Sequence, residues 1–112
     1  MIDEIRVTTE QNITMTRGDT LAFGIGIDGL GQDLDTAFFT CRDSLDGNVV
    51  FQKSLSDGIS KVETGLYRIR VEPDDTKRLD AGQYYYDFEI GVNSDIFTLL
   101  KGVLTIEHDS TY

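Results

Sequence analysis

From Thr20 the chain alternates: Leu21, Phe23, Ile25 and Ile27 fall on one side of an extended strand, Thr20, Ala22, Gly24 and Gly26 on the other. A period of two marks a strand with one buried face. The rhythm returns at 36–42, with Ala37, Phe39 and Cys41 against Phe38, Thr40 and Arg42. At 65–72 it sets Tyr67, Ile69 and Val71 against Leu66, Arg68, Arg70 and Glu72. It is clearest at 83–91, where Tyr84, Tyr86, Phe88 and Ile90 alternate with Tyr85, Asp87 and Glu89. Shorter runs predict strands at 12–17, carrying Ile13 and Met15, and at 49–55, directly after the hairpin signal Asp46-Gly47. In 96–107 the parity changes. Phe97 and Leu99 share one side, Leu100, Leu104 and Ile106 the other, and Gly102 is the expected site of a face-switching bulge. The polar stretch 56–64 reads as a loop or a mobile, irregular edge. Pro73 stops the preceding strand, and 74–79 has the leading proline and early acids of one helical turn.

About seven strands at spacings near ten residues predict an all-β sandwich or barrel. The chain reads as one domain over 1–112, with its core at about 12–107 and a polar, fraying tail at 108–112. At 112 residues it buries enough apolar surface to stand without a metal or disulfide staple. The single cysteine, Cys41, has no partner within the chain, which argues against a disulfide-framework secreted domain.

Charge narrows the partners. Twenty acids against ten bases leave a formal net charge of −10. Nucleic acid is bound by neutralising phosphates with Lys and Arg, so this balance opposes it, and it opposes docking on anionic membranes too. The opening Met-Ile-Asp-Glu is unlike a signal peptide, and no apolar run approaches the roughly 20 residues of a membrane-spanning helix. Synthesis in the cytoplasm of a bacterial host is the expectation.

The segment Leu79-Asp80-Ala81-Gly82-Gln83-Tyr84-Tyr85-Tyr86 is the most specific. A Leu-Asp-x-Gly-x-Tyr pattern marks the corner before strand F of immunoglobulin-like domains, where the tyrosine hydroxyl bonds back to the corner backbone. Asp80, Gly82 and Tyr84 take those places, and Tyr86 stands where an antibody domain has its second cysteine. Further pieces follow in order: Arg17-Gly18-Asp19-Thr20-Leu21 opening a strand, Tyr67 before Pro73-Asp74-Asp75-Thr76, and Thr98-Leu99-Leu100-Lys101-Gly102 near the end. Together they resemble the small immunoglobulin-like β-sandwich domain of phage and prophage tail proteins, above all the N-terminal domain of baseplate upper proteins. The resemblance implies a non-enzymatic virion subunit in a baseplate, tail or head, with other virion structural proteins, and copies of itself, as partners. In the baseplate proteins such a domain heads a longer chain.

No constellation for catalysis is evident. His108, the one histidine, lies in the tail, and Cys41 lies on an apolar strand face with no histidine nearby. No phosphate loop or zinc spacing occurs, and no cofactor is expected. Asp28, Asp33 and Asp35 share a loop and are weak calcium candidates. An alternative function is a carbohydrate- or cell-surface-binding sandwich that uses its loop acids and exposed tyrosines, with or without the help of calcium. Arg17-Gly18-Asp19 matches an adhesion tripeptide but reads as a turn, and Asn12-Ile13-Thr14 matches a glycosylation sequon. Phe38 and Tyr85, on outward faces, are the interface candidates, and they make one patch if their strands share a sheet. Gly24 and Gly26 clear one face of their strand, leaving room for another backbone, and unpaired edge strands invite strand addition between subunits.

Overall fold

In the computed structural model, which describes residues 9–109, the alternating segments form the expected strands. In chain order they are β1 (Thr9–Glu10), β2 (Ile13–Thr16), β3 (Leu21–Gly26), β4 (Thr36–Arg42), β5 (Val49–Leu55), β6 (Gly58–Glu63), β7 (Leu66–Val71), α1 (Pro73–Thr76), β8 (Gly82–Val92) and β9 (Asp95–Glu107). The strands bond in the order β1-β9-β8-β4-β5-β6-β7-β3, and β2 joins β9 beside β1. Only two parallel pairs, Ser54↔Gly58 and Leu55↔Ile59, connect β5 to β6. The path turns a corner there and becomes two layers, β1/β2-β9-β8-β4-β5 facing β6-β7-β3. This is an immunoglobulin-like β-sandwich.

The predicted inward parities hold. Ala37, Phe39 and Cys41 of β4, Tyr67, Ile69 and Val71 of β7, and Tyr84, Tyr86, Phe88 and Ile90 of β8 are buried in one core. Antibody domains pin their layers with a disulfide and a tryptophan. Here a ring pair does it: Phe39 lies 5.8 Å from Phe23 of the facing layer, edge-on, and Tyr86 packs 5.2 Å from Phe39 within its own layer. Such pairs contribute about 0.5–1.5 kcal/mol each beyond the area they bury.

The structure corrects three expectations. The stretch 56–64 contains β6, an inner strand paired on both sides, because Ile59 reaches the core and β7 supplies an antiparallel ladder. The helical turn ends at Thr76. Strand pairing starts at Thr9. The bulge in β9 falls at Leu99, between the pairs Phe88↔Leu100 and Glu89↔Thr98, and not at Gly102. Gly102 has another reason. A Cβ there would lie 2.2 Å from the Gln11 carbonyl oxygen and 2.8 Å from its carbon, so only glycine lets the chain cross between β1 and β2. The Tyr86 hydroxyl donates to that same carbonyl, and Asn12 Oδ1 accepts from the Val103 N–H at 3.0 Å. Of the expected tail, His108 and Asp109 are described and 110–112 lie outside the described residues.

At the β5–β6 corner Lys53 runs inward over Gly58, where a Cβ would meet its Cε at 2.5 Å. Its ammonium donates to Asp75 Oδ2 at 2.8 Å, with the two side chains 8% and 19% exposed. The same oxygen accepts from the Glu72 N–H at 2.7 Å at the start of α1. One carboxylate thus ties the helical turn to the other layer.

Candidate functional site

The sheet β9-β8-β4-β5 turns its second face to solvent, and the register arranges that face in rows. Val49, Arg42, Tyr85 and Val103 form the first, Gln52, Thr40, Asp87 and Lys101 the second, and Ser54, Phe38, Glu89 and Thr98 the third. Phe38 and Tyr85 therefore share a sheet and a face, as expected. They stand two rows apart, about 14 Å along the strands, so they frame the face and do not form one cluster. Between them Gln52 Nε2 donates to Thr40 Oγ1 at 2.8 Å, and Arg42 Nη1 donates to Asp87 Oδ2 at 3.3 Å.

The first row is the more apolar. Tyr85 is half-buried, Val49 is 50% exposed, and Leu45, on the β4–β5 hairpin, is 74% exposed. A groove of about 680 Å³ opens beside Tyr85 and Leu45, lined also by Arg42, Asp87, Lys101 and Glu10 among others. An aromatic ring and aliphatic side chains around an arginine, rimmed by charge, match the make-up of protein interfaces. Leu45 and Val49 were not singled out from sequence. The available signal was an apolar side chain on a hairpin otherwise built from Asp, Ser, Gly and Asn.

The other sequence candidates are placed as follows. Tyr84 donates its hydroxyl to the Asp80 carbonyl at 2.7 Å, and Gly82 has φ 150°, so the corner forms as predicted. Burial, with the Asp80 charge adding to it, raises the Tyr84 pKa, and burial raises that of Tyr86. Cys41 is fully buried, and desolvation pushes its thiol up to about 12. At neutral pH it stays protonated, which removes the thiolate a nucleophile needs. Asp33 is held by Lys61 at 2.6 Å, and Asp35 Oδ2 accepts from the Asn93 N–H at 3.0 Å. With Asp28 they make no common cation site: among the described residues no three His, Cys, Asp or Glu side chains gather as a metal requires. Arg17-Gly18-Asp19 is a turn closed by Asp19 N–H to the Thr16 carbonyl, with Gly18 at φ 79°. Its Gly18 N–H donates to buried Thr76 Oγ1 at 2.9 Å, and Arg17 pairs with Asp109, so the tripeptide anchors the corner. His108 is exposed.

No family model and no curated protein matches the sequence. Solved structures match in fold. CopC from Methylosinus trichosporium OB3b aligns with TM-score 0.55 at 13% identity, over 90% of this chain and 88% of that one. The NK cell receptor Nkp44, described as a triggering partner in natural cytotoxicity, aligns with TM-score 0.53 at 12% identity, over 89% and 100%. Identities this low speak for the fold alone. No helix among the described residues is long and apolar enough to cross a membrane.

Proposed function

We propose that this chain is a non-enzymatic assembly module of a phage or prophage virion, acting through protein–protein contacts as an adaptor or decoration in baseplate, tail or head. The supporting observation is the solvent face of β9-β8-β4-β5, where Leu45, Tyr85 and Val103 line one groove with the Arg42–Asp87 pair and exposed Val49 stands opposite Arg42. Interfaces concentrate their energy in such central aromatic and arginine side chains. The virion setting comes from the ordered sequence pieces that resemble baseplate domains, and the partners are other virion structural proteins. A second reading, a carbohydrate-binding module, draws on the groove itself, where Tyr85 could stack a sugar and Arg42, Asp87 and Lys101 could bond its hydroxyls.

The test is mass spectrometry of purified particles after prophage induction, with the native chain and with a Leu45→Asp, Tyr85→Asp variant. The expected result is the native chain at stoichiometric copy number and loss of the variant from particles, with its thermal unfolding unchanged. Absence of the native chain from complete particles overturns the proposal. Retention of the variant moves the contact elsewhere on the chain.

A further inference from the structure

The sandwich is closed by the β5–β6 corner on one side and open on the other. Among the described residues no strand pairs with the outer side of β3, the last in the sheet order. Ile27 N–H donates to the Gly65 carbonyl at 2.7 Å, which extends the β3–β7 register by one residue pair. Antiparallel ladders alternate bonded and non-bonded pairs. Leu21, Phe23 and Ile25 therefore spend their N–H and C=O groups on β7, and Ala22, Gly24 and Gly26 turn theirs to the free edge. Edge strands are commonly screened by charge, proline or a bulge. This row carries a methyl group or nothing.

Two further observations lie beside it. A cleft of about 340 Å³ separates β3 from the other layer, with Leu21, Phe23 and Ile25 on one wall and Ile13, Tyr86 and Leu100 on the other. On the solvent face of β7, Arg68 stands opposite Gly24 and Arg70 opposite Ala22, both exposed. Arg70 is paired with Glu72 at 2.8 Å, whereas Arg68 has no ion-pair partner among the described residues. A strand added to β3 would run two strand spacings, about 10 Å, from β7. With no side chain at Gly24, the Arg68 guanidinium can lean across to it.

We infer that β3 accepts an extended segment of a partner protein, with apolar side chains at alternate positions entering the cleft and an acidic side chain between them meeting Arg68 over Gly24. The inference rests on reading the chain as a protein-assembly module and adds the chemistry of one partner. It is local to β3, so its outcome is separate from that of the outer face.

The test titrates the isotope-labelled full chain with a short capped peptide alternating valine and glutamate, reading amide shifts and hydrogen exchange. Exchange at Ala22, Gly24 and Gly26 should slow, and the valine–lysine counterpart should bind about tenfold more weakly, as loss of one charged hydrogen bond implies. Arg68→Glu should reverse that preference. Gly24→Pro, which an edge strand tolerates where the N–H faces solvent, should weaken binding by about tenfold. If this variant unfolds at lower temperature, the Arg68→Glu reversal carries the test. No slowing at millimolar peptide overturns the inference, as does equal binding of both peptides. Protection that grows with chain concentration alone also overturns it, because a second copy would then occupy the edge. If the peptide fails and the native chain is still found in particles, the assembly reading stands and the strand-acceptor inference falls. If the peptide binds and particles lack the chain, the reverse holds.

Discussion

Replacing Asp75 with alanine strips the Lys53 ammonium of its partner inside the β5–β6 corner. Lys53 is 8% exposed and cannot rehydrate without moving its stem off Gly58. Removing one member of a buried ion pair costs about 3–5 kcal/mol. Asp75 is 19% exposed, which places the loss at the lower end, about 3 kcal/mol. The missing acceptor for the Glu72 N–H falls within that range, because this group is at the surface and water can replace the carboxylate. Unfolding entropy is about 2.1 cal/mol/K per residue, so for a chain of 112 residues a loss of about 3 kcal/mol lowers Tm by about 13 °C. Scanning calorimetry and urea denaturation of Asp75→Ala, Lys53→Met and the Asp75→Leu, Lys53→Met double variant measure it. The double variant should recover most of the loss, because the penalty is a stranded charge and an apolar pair strands none. A drop below about 1 kcal/mol for Asp75→Ala, or a double variant as unstable as the sum of the singles, would refute the reasoning.

Two further outcomes follow from other parts of the core. Gly102→Ala places a methyl against the Gln11 carbonyl and should cost about 1–3 kcal/mol. Hydrogen exchange should accelerate at Gln11 and Val103, whose N–H groups bond to Lys101 and Asn12, and hold at Ile69 in the far layer. The buried Cys41 thiol has its folded pKa raised from 9.0 to about 12, so above pH 9 the unfolded state sheds a proton that the folded state keeps. The contribution of Cys41 to stability should therefore be constant below pH 9 and fall as pH rises toward 12. In Cys41→Ala the fall should begin later, where the raised tyrosines Tyr84 and Tyr86 take over, as chemical denaturation at stepped pH would show.

Alternation made the strand faces legible. Wherever apolar residues recur at every second position, as in β4, β7 and β8, the inward side was read correctly, because a one-residue slip would expose the whole set. The corner was legible as well, since Asp80, Gly82 and Tyr84 are close in sequence and their bond is local. β6 was not legible: Ile59 is its one fully buried side chain, and its place is set by neighbours. Gly102 looked like a bulge because glycine in a strand often is one. Its true contact, Gln11, lies 91 positions away, and no local pattern encodes it. Lys53 was not legible as a buried charge, and nothing in the sequence pairs it with Asp75. On the outer face the same alternation placed Phe38 and Tyr85 outward, and only the folded chain could show Leu45 lining a groove with Tyr85, Val49 beside Arg42, or the open flank of β3.

The parallel pairing of β1 and β2 with β9 has a mechanical consequence. The ladder runs from Thr9↔Leu100 to Thr16↔Glu107 with both chains pointing the same way. A pull that separates Thr9 from Glu107 along the strands loads those hydrogen bonds in shear, so they bear the force together, whereas an antiparallel hairpin pulled at its open end unzips bond by bond. Resistance to force would then depend on how fast that ladder ruptures, and the Tyr86–Gln11 and Asn12–Val103 bonds lie within it like rivets in a lap joint.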